Sequence, residues 1–154
     1  MSLIHELNKE VPFSLAEFCI DGVGNTPDSV KEKIWRYHIC PVINVRKDLG
    51  LALTASEKSC YRPFKWEIEK GRSGNSEHTF KGLGACDWTF YNKKDKTPEN
   101  LSILYYSLMA HTKYTRIAIY KTFIHCDYGI DDGYRYLFDA KSDGWKFVDK
   151  VEIL

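Results

Sequence analysis

The sequence predicts an α+β fold, with amino-terminal helices packed on a mainly antiparallel sheet. Three observations lead there. Two segments open on Thr-Pro and continue with apolar residues at helical spacing. The carboxy-terminal part is a series of β-type segments separated by turn residues. No repeat, low-complexity tract or linker rich in Pro, Gly or Ser divides the 154 residues, so residues 1–154 read as one domain with a substantial core.

In chain order, "GNTPDSVKEKIWRYHI" predicts a helix with Thr26 as N-cap and Pro27 at its first position. Val30, Ile34 and Tyr37 share one face, and Lys31 and Trp35 a neighbouring one. Pro41 should end or kink this helix, with a second short helix running to a C-cap at Gly50. "LALTAS", Leu51 to Ser56, alternates like a strand. The stretch from "EKSCYRPF" to "EKGRSGNSE" lacks apolar periodicity and reads as a long irregular connection. "ACDWTFY" is a second strand. "TPENLSILYYSLMAH" repeats the Thr-Pro cap at Thr97 and Pro98, with Leu101, Leu104, Tyr105 and Leu108 inward. "TRIAIYKTFIHCDYG", "YRYLFDA" and "WKFVDK" complete the sheet, with turns at "DDG" and "KSDG".

Composition excludes several function classes. The 22 basic and 21 acidic residues are interspersed, giving a net charge of +1 and no basic stripe to track nucleic acid. No long apolar run follows a basic start in "MSLIHELNKEVPFSL", so neither a signal peptide nor membrane insertion is expected. Five cysteines without a CxxC pair argue against a disulfide framework and for synthesis in a reducing compartment. The 14% aromatic content predicts an aromatic core or a groove with aromatic walls.

One constellation could carry chemistry. In "SEHTFKGLGACDW", His78 precedes a bend containing Gly82 and Gly84, and Asp87 begins the strand beyond it. His125 lies on a later strand, where alternation puts it on one face with Phe123 and Asp127 and turns Cys126 to the other. Asp87 likewise opposes Cys86 and Trp88. Two imidazoles and a carboxylate can form three corners of a tetrahedral metal site with the fourth left open. The bland alternatives are a satisfied core histidine and an aspartate cap. His5, His38 and His111, near a terminus or on helices, are assigned no such role.

"SCYRPF", "GNSEHTFKGLGACDW" and "FIHCDYG", taken together, resemble the zinc D-alanyl-D-alanine carboxypeptidase family. That family includes L-alanyl-D-glutamate endopeptidases of phage lysis and shares its fold with the hedgehog signalling domain. Its pattern matches Ser59, Tyr61 and Arg62, then Ser76, His78, Gly82 and Asp87, then His125, and "FSLAEFC" resembles its amino-terminal part. The resemblance implies a Zn2+ ion on His78, Asp87 and His125. It makes Arg62 catalytic and substrate-binding, and Tyr61 and Ser76 substrate-binding. The implied reaction is hydrolysis of a peptidoglycan stem or cross-link peptide beside a D-amino acid; with no signal peptide expected, such an enzyme made in the cytoplasm is expected to reach the cell wall by phage-type release or carriage in a virion. This chain departs from the pattern twice. Eight residues, where members have six, separate His78 from Asp87, and Thr122 stands where many members carry the acidic general base. Asp127 and Glu77 are the candidate substitutes, with Asp127 alternatively orienting a ligand histidine. An inactive metal-binding or interaction module on the same fold is the competing expectation.

Overall fold

The computed structural model describes residues 13–153. His5 and most of the segment read for a signal peptide lie outside them. Six strands form one mixed sheet in the order β1-β2-β4-β3-β5-β6. They are β1 (Leu53–Ala55), β2 (Ala85–Phe90), β3 (Arg116–Ile119), β4 (Ile124–Asp127), β5 (Tyr134–Asp139) and β6 (Lys146–Glu152). Neighbours pair antiparallel except β3 and β5, which run parallel. The α+β expectation holds at this level. "TRIAIYKTFIHCDYG" is two strands, β3 and β4, folded back on each other through residues 120–123.

The first helical region is α1 (Asp28–Lys33), a π-helical turn (Ile34–Ile39) and α2 (Cys40–Leu49). Its N-cap is Pro27, one residue later than Thr26, whose hydroxyl instead donates to the Gly22 carbonyl at 2.9 Å. Pro41 does not end the helix. Proline has no N–H for the carbonyl four residues earlier, that of Tyr37, and the Tyr128 hydroxyl donates to this carbonyl instead. Gly50 closes α2 in the left-handed conformation, φ 66°, as a C-cap.

A further helix, α3 (Phe64–Glu69), lies within the stretch expected to be irregular. It buries only Glu67, so it carries no apolar period. In α4 (Pro98–His111) the Thr97 hydroxyl accepts from the Asn100 N–H at 3.1 Å, and all four predicted inner residues are buried.

The core lies between these helices and one face of the sheet. Ile34, Val42, Leu101, Leu104 and Leu108 pack with Trp88, Phe90, Ile117, Ile124 and Cys126. The Trp88 indole crosses Phe13 and Phe18 edge-on at 5.8 and 5.4 Å. All five cysteines are free thiols and four are buried. The opposite face of β2 and β4 carries Asp87, Thr89, His125 and Asp127, as strand alternation requires. No described helix is long and apolar enough to cross a membrane.

Candidate metal centre

Asp87 and His125 are directly opposed residues on the paired strands β2 and β4. His78 reaches them from a 3₁₀ turn (Glu77–Thr79) whose N-cap, Ser76, accepts the His78 N–H at 3.1 Å. The segment around Ser59 supplies the backbone frame. The Ser59 carbonyl takes the Asp87 N–H at 2.9 Å, and the Arg62 N–H donates to the His78 carbonyl at 2.8 Å. The bend after His78 is pinned from behind by the first helical region. Lys33 Nζ donates to the Phe80 and Gly82 carbonyls, and His38 Nε2 lies 2.9 Å from the Leu83 carbonyl. Of the two glycines expected to shape the bend, Gly84 does so, with φ +89° and a Phe80 ring edge 2.3 Å from where a Cβ would stand. Gly82 has no positive φ and no close neighbour that would exclude a side chain.

Three donor atoms converge. His78 Nε2, His125 Nδ1 and Asp87 Oδ1 are separated by 3.2, 2.9 and 3.3 Å, and all three residues are buried. An ion with bonds of about 2.0–2.2 Å in tetrahedral geometry sets its ligand atoms about 3.3–3.6 Å apart, a little wider than this spacing. The other ring nitrogens decide which lone pairs face inward. The Cys60 carbonyl, 2.8 Å from His78 Nδ1, can only accept, so Nδ1 carries the proton and Nε2 is left with a lone pair in the neutral ring. His125 Nε2 donates to Asp127 Oδ2 at 2.7 Å, which leaves Nδ1 facing Asp87 and His78. Three acceptors that close repel unless a cation or bridging protons lie among them. The buried His-Asp-His group could hold a metal ion, and each histidine has the polar partner that fixes a ligand ring.

Electrostatics show the proton form of the same arrangement. Burial alone would lower the His125 pKa, but its hydrogen bonds to Asp127 and Asp87 raise it to about 9. Burial would raise Asp87, yet the facing His78 and His125 hold it well below the usual carboxylate range. Asp127, opposed in the same way by burial, falls to about 2 through its bonds to His125 and Arg116.

The remaining predicted residues separate into those the cleft gathers and those it does not. A cleft of about 380 Å³ opens over the three donors, lined also by Arg62, Arg72, Ser76, Tyr120, Phe123 and Trp145. Arg62 and Ser76 are therefore at the site, with Arg62 donating to Ser76 Oγ at 3.3 Å. Tyr61 is not. It is buried against Phe80, ring centroids 5.8 Å apart, so the expected substrate contact is corrected to a core position. Asp127 is not free to act as a base. It is fully buried and takes hydrogen bonds from His125, from Arg116 Nε and Nη2, and from the Gly129 N–H, so it orients His125. Glu77 does not line the cleft; its carboxyl group lies toward Gly82 and its charge acts on Arg116. Thr122 is exposed.

Sequence reasoning passed over Cys60, Arg72, Tyr120 and Trp145. Trp145 packs on His125 at 5.2 Å and donates from its indole to the Tyr120 hydroxyl at 2.6 Å, which makes an aromatic wall. High aromatic content was the only sign of it. Comparison with known proteins finds no matching family model, no matching curated protein and no matching solved structure.

Proposed function

We propose that the chain is a zinc-dependent peptidase of the D-alanyl-D-alanine carboxypeptidase type, hydrolysing peptidoglycan peptides beside a D-amino acid. The observation that supports this reading is the convergence of three buried lone-pair donors at 2.9–3.3 Å, each histidine fixed by a partner on its far nitrogen. His78, Asp87 and His125 would hold the ion, which would supply Lewis acidity to polarise an amide carbonyl and acidify water. Asp127 keeps the proton on His125 Nε2 and so keeps Nδ1 available. Arg62, fixed by Ser76, presents a guanidinium to the cleft where it can hold a substrate oxygen that gains negative charge. Tyr120 and Trp145 add an aromatic wall to the cleft.

Purified protein given zinc should bind about one ion per chain by elemental analysis, and His125→Ala should lose both the ion and cleavage of purified wall. Arg62→Met should keep the ion and lose cleavage by about 10²–10³-fold. Wild-type protein that stays metal-free in excess zinc would refute the reading.

One observation favours a second reading, a metal-binding module without hydrolysis. Asp87 is the only carboxyl group lining the cleft among the described residues, and it is one of the three donors. Mass analysis of muropeptides after incubation with the zinc-loaded protein separates the two readings.

A further inference from the structure

In α3, which lies in sequence between the cleft residues Arg62 and Arg72, Glu67 is fully buried, and neither carboxyl oxygen has a hydrogen-bond partner. Its Oε1 lies 3.8 Å from Arg62 Nε and its Oε2 3.5 Å from Arg72 Nε, so one acid sits between two arginines. Both guanidiniums also lie over the Trp66 ring, at 5.8 and 5.7 Å. The Arg72 N–H donates to the Glu67 carbonyl at 2.8 Å, which ties the two residues at the backbone as well.

The arrangement has more positive charge and more donors than its own contacts use. Two guanidiniums share one carboxyl group, and each has five N–H donors. Arg62 spends one donor on Ser76, its Nε is unpartnered, and the half-exposed Arg72 side chain has no hydrogen bond among the described residues. Both arginines line the same cleft as His78, Asp87 and His125. A planar fork of donors held on an aromatic face matches a carboxylate, which it can engage in two parallel hydrogen bonds.

We propose that Arg62 and Arg72, positioned by the buried Glu67 and by Trp66, form a carboxylate-binding subsite beside the three donor residues, so that the peptide bound there carries a free carboxylate close to the amide presented to them. The identity of the ligand as a peptide rests on the peptidase reading; the subsite itself rests on the Arg62–Glu67–Arg72 geometry. Arg72 is thereby a specificity-determining residue and Glu67 a positioning residue. The carboxylate has two sources in a wall peptide, the terminal α-carboxylate and a side-chain carboxylate.

The full chain with zinc added is titrated, by NMR of the indole N–H groups, with N-acetyl-D-alanine, with its amide, and with N-acetyl-D-glutamic acid α-amide. Direct contact of a carboxylate with the ion is common to wild type and arginine variants, so it cancels in the comparison. Wild type should prefer an acid over the neutral amide, and Arg72→Met should reduce that preference about tenfold, with Arg72→Lys restoring part of it. Glu67→Gln should lower the preference several-fold with a urea transition that still reports a folded chain. The tighter of the two acids identifies the source of the carboxylate. Equal binding of acid and amide by wild type, or an acid preference that survives Arg72→Met, overturns the proposal. An acid preference lost in Arg72→Met, in a protein that cleaves no wall peptide, upholds the subsite and refutes the peptidase reading instead.

Discussion

Each nitrogen of His125 has its own carboxylate, Asp87 at Nδ1 and Asp127 at Nε2. The two acids do different work because their surroundings differ. Asp87 lines the cleft, whereas Asp127 is locked by Arg116 and the Gly129 N–H. On the proposed zinc reading, Asp127→Asn should therefore weaken binding of the ion about 10–100-fold without abolishing it, as measured by competition with a chromogenic chelator. Asp87→Asn should weaken it more, since a donor atom is changed rather than its support. Strand alternation turned Asp87 and His125 away from their neighbouring cysteines in the sequence, and the family resemblance singled them out, with His78, as donors. The partner of His78 was not legible: it is a backbone carbonyl, at Cys60, and a carbonyl leaves no trace in residue type. Asp127 was read as base or as orienter, and its burial with bonds from Arg116, eleven residues away, and from the Gly129 N–H separates these roles.

Among the elements, α4 shows how a helix end is fixed by a distant strand. Arg135 on β5 is buried and donates to the carbonyls of Met109, Thr112 and Tyr114 at 2.6–2.7 Å. These lie at and just beyond the helix C-terminus, where carbonyls lack helical partners and a cation is favoured. Arg135→Met leaves three acceptors unpaired and should destabilise the fold by about 3 kcal/mol in urea unfolding. The helices α1, α2 and α4 were legible through their apolar stripes, the Gly50 C-cap of α2 and the Thr97 N-cap of α4. Helix α3 was not, because its single buried side chain is Glu67, held for its arginines rather than for the core. The β3–β4 turn was missed because "TRIAIYKTFIHCDYG" contains no glycine, asparagine or proline where the chain reverses. In the bend before β2, Gly84→Ala should cost about 2 kcal/mol or more, since a Cβ there meets the Phe80 ring in a left-handed backbone.

For the molecule as a whole, the pH dependence of stability between about pH 6.5 and 4 should centre on His38. This residue was read as a surface or satisfied core histidine, and it is buried at the junction of helix, bend and sheet. The Leu83 carbonyl accepts from its Nε2, so its Nδ1 accepts from the Tyr114 hydroxyl at 2.8 Å, which in turn accepts from the Trp88 indole. Burial, first, lowers its pKa to about 4, with His78 and His125 reinforcing this and Leu83 and Asp127 opposing it; Tyr114 and Tyr128 are the titratable groups packed on the ring. The unfolded chain then binds the proton first as pH falls. Stability contributed by His38 is complete above about pH 6.5, declines between 6.5 and 4 by about 3 kcal/mol, and levels off below. Urea unfolding across that window, compared with His38→Gln, should show the slope in wild type and its loss in the variant. The pinning of the bend by Lys33 and His38 carries a kinetic consequence. Carbonyls of Phe80, Gly82 and Leu83 are all tied to the first helical region, so this segment has no slack to swing as a flap. Ligand should therefore enter a pocket already in its final shape, and association should follow a single exponential whose rate rises linearly with ligand concentration, with no slow isomerisation phase.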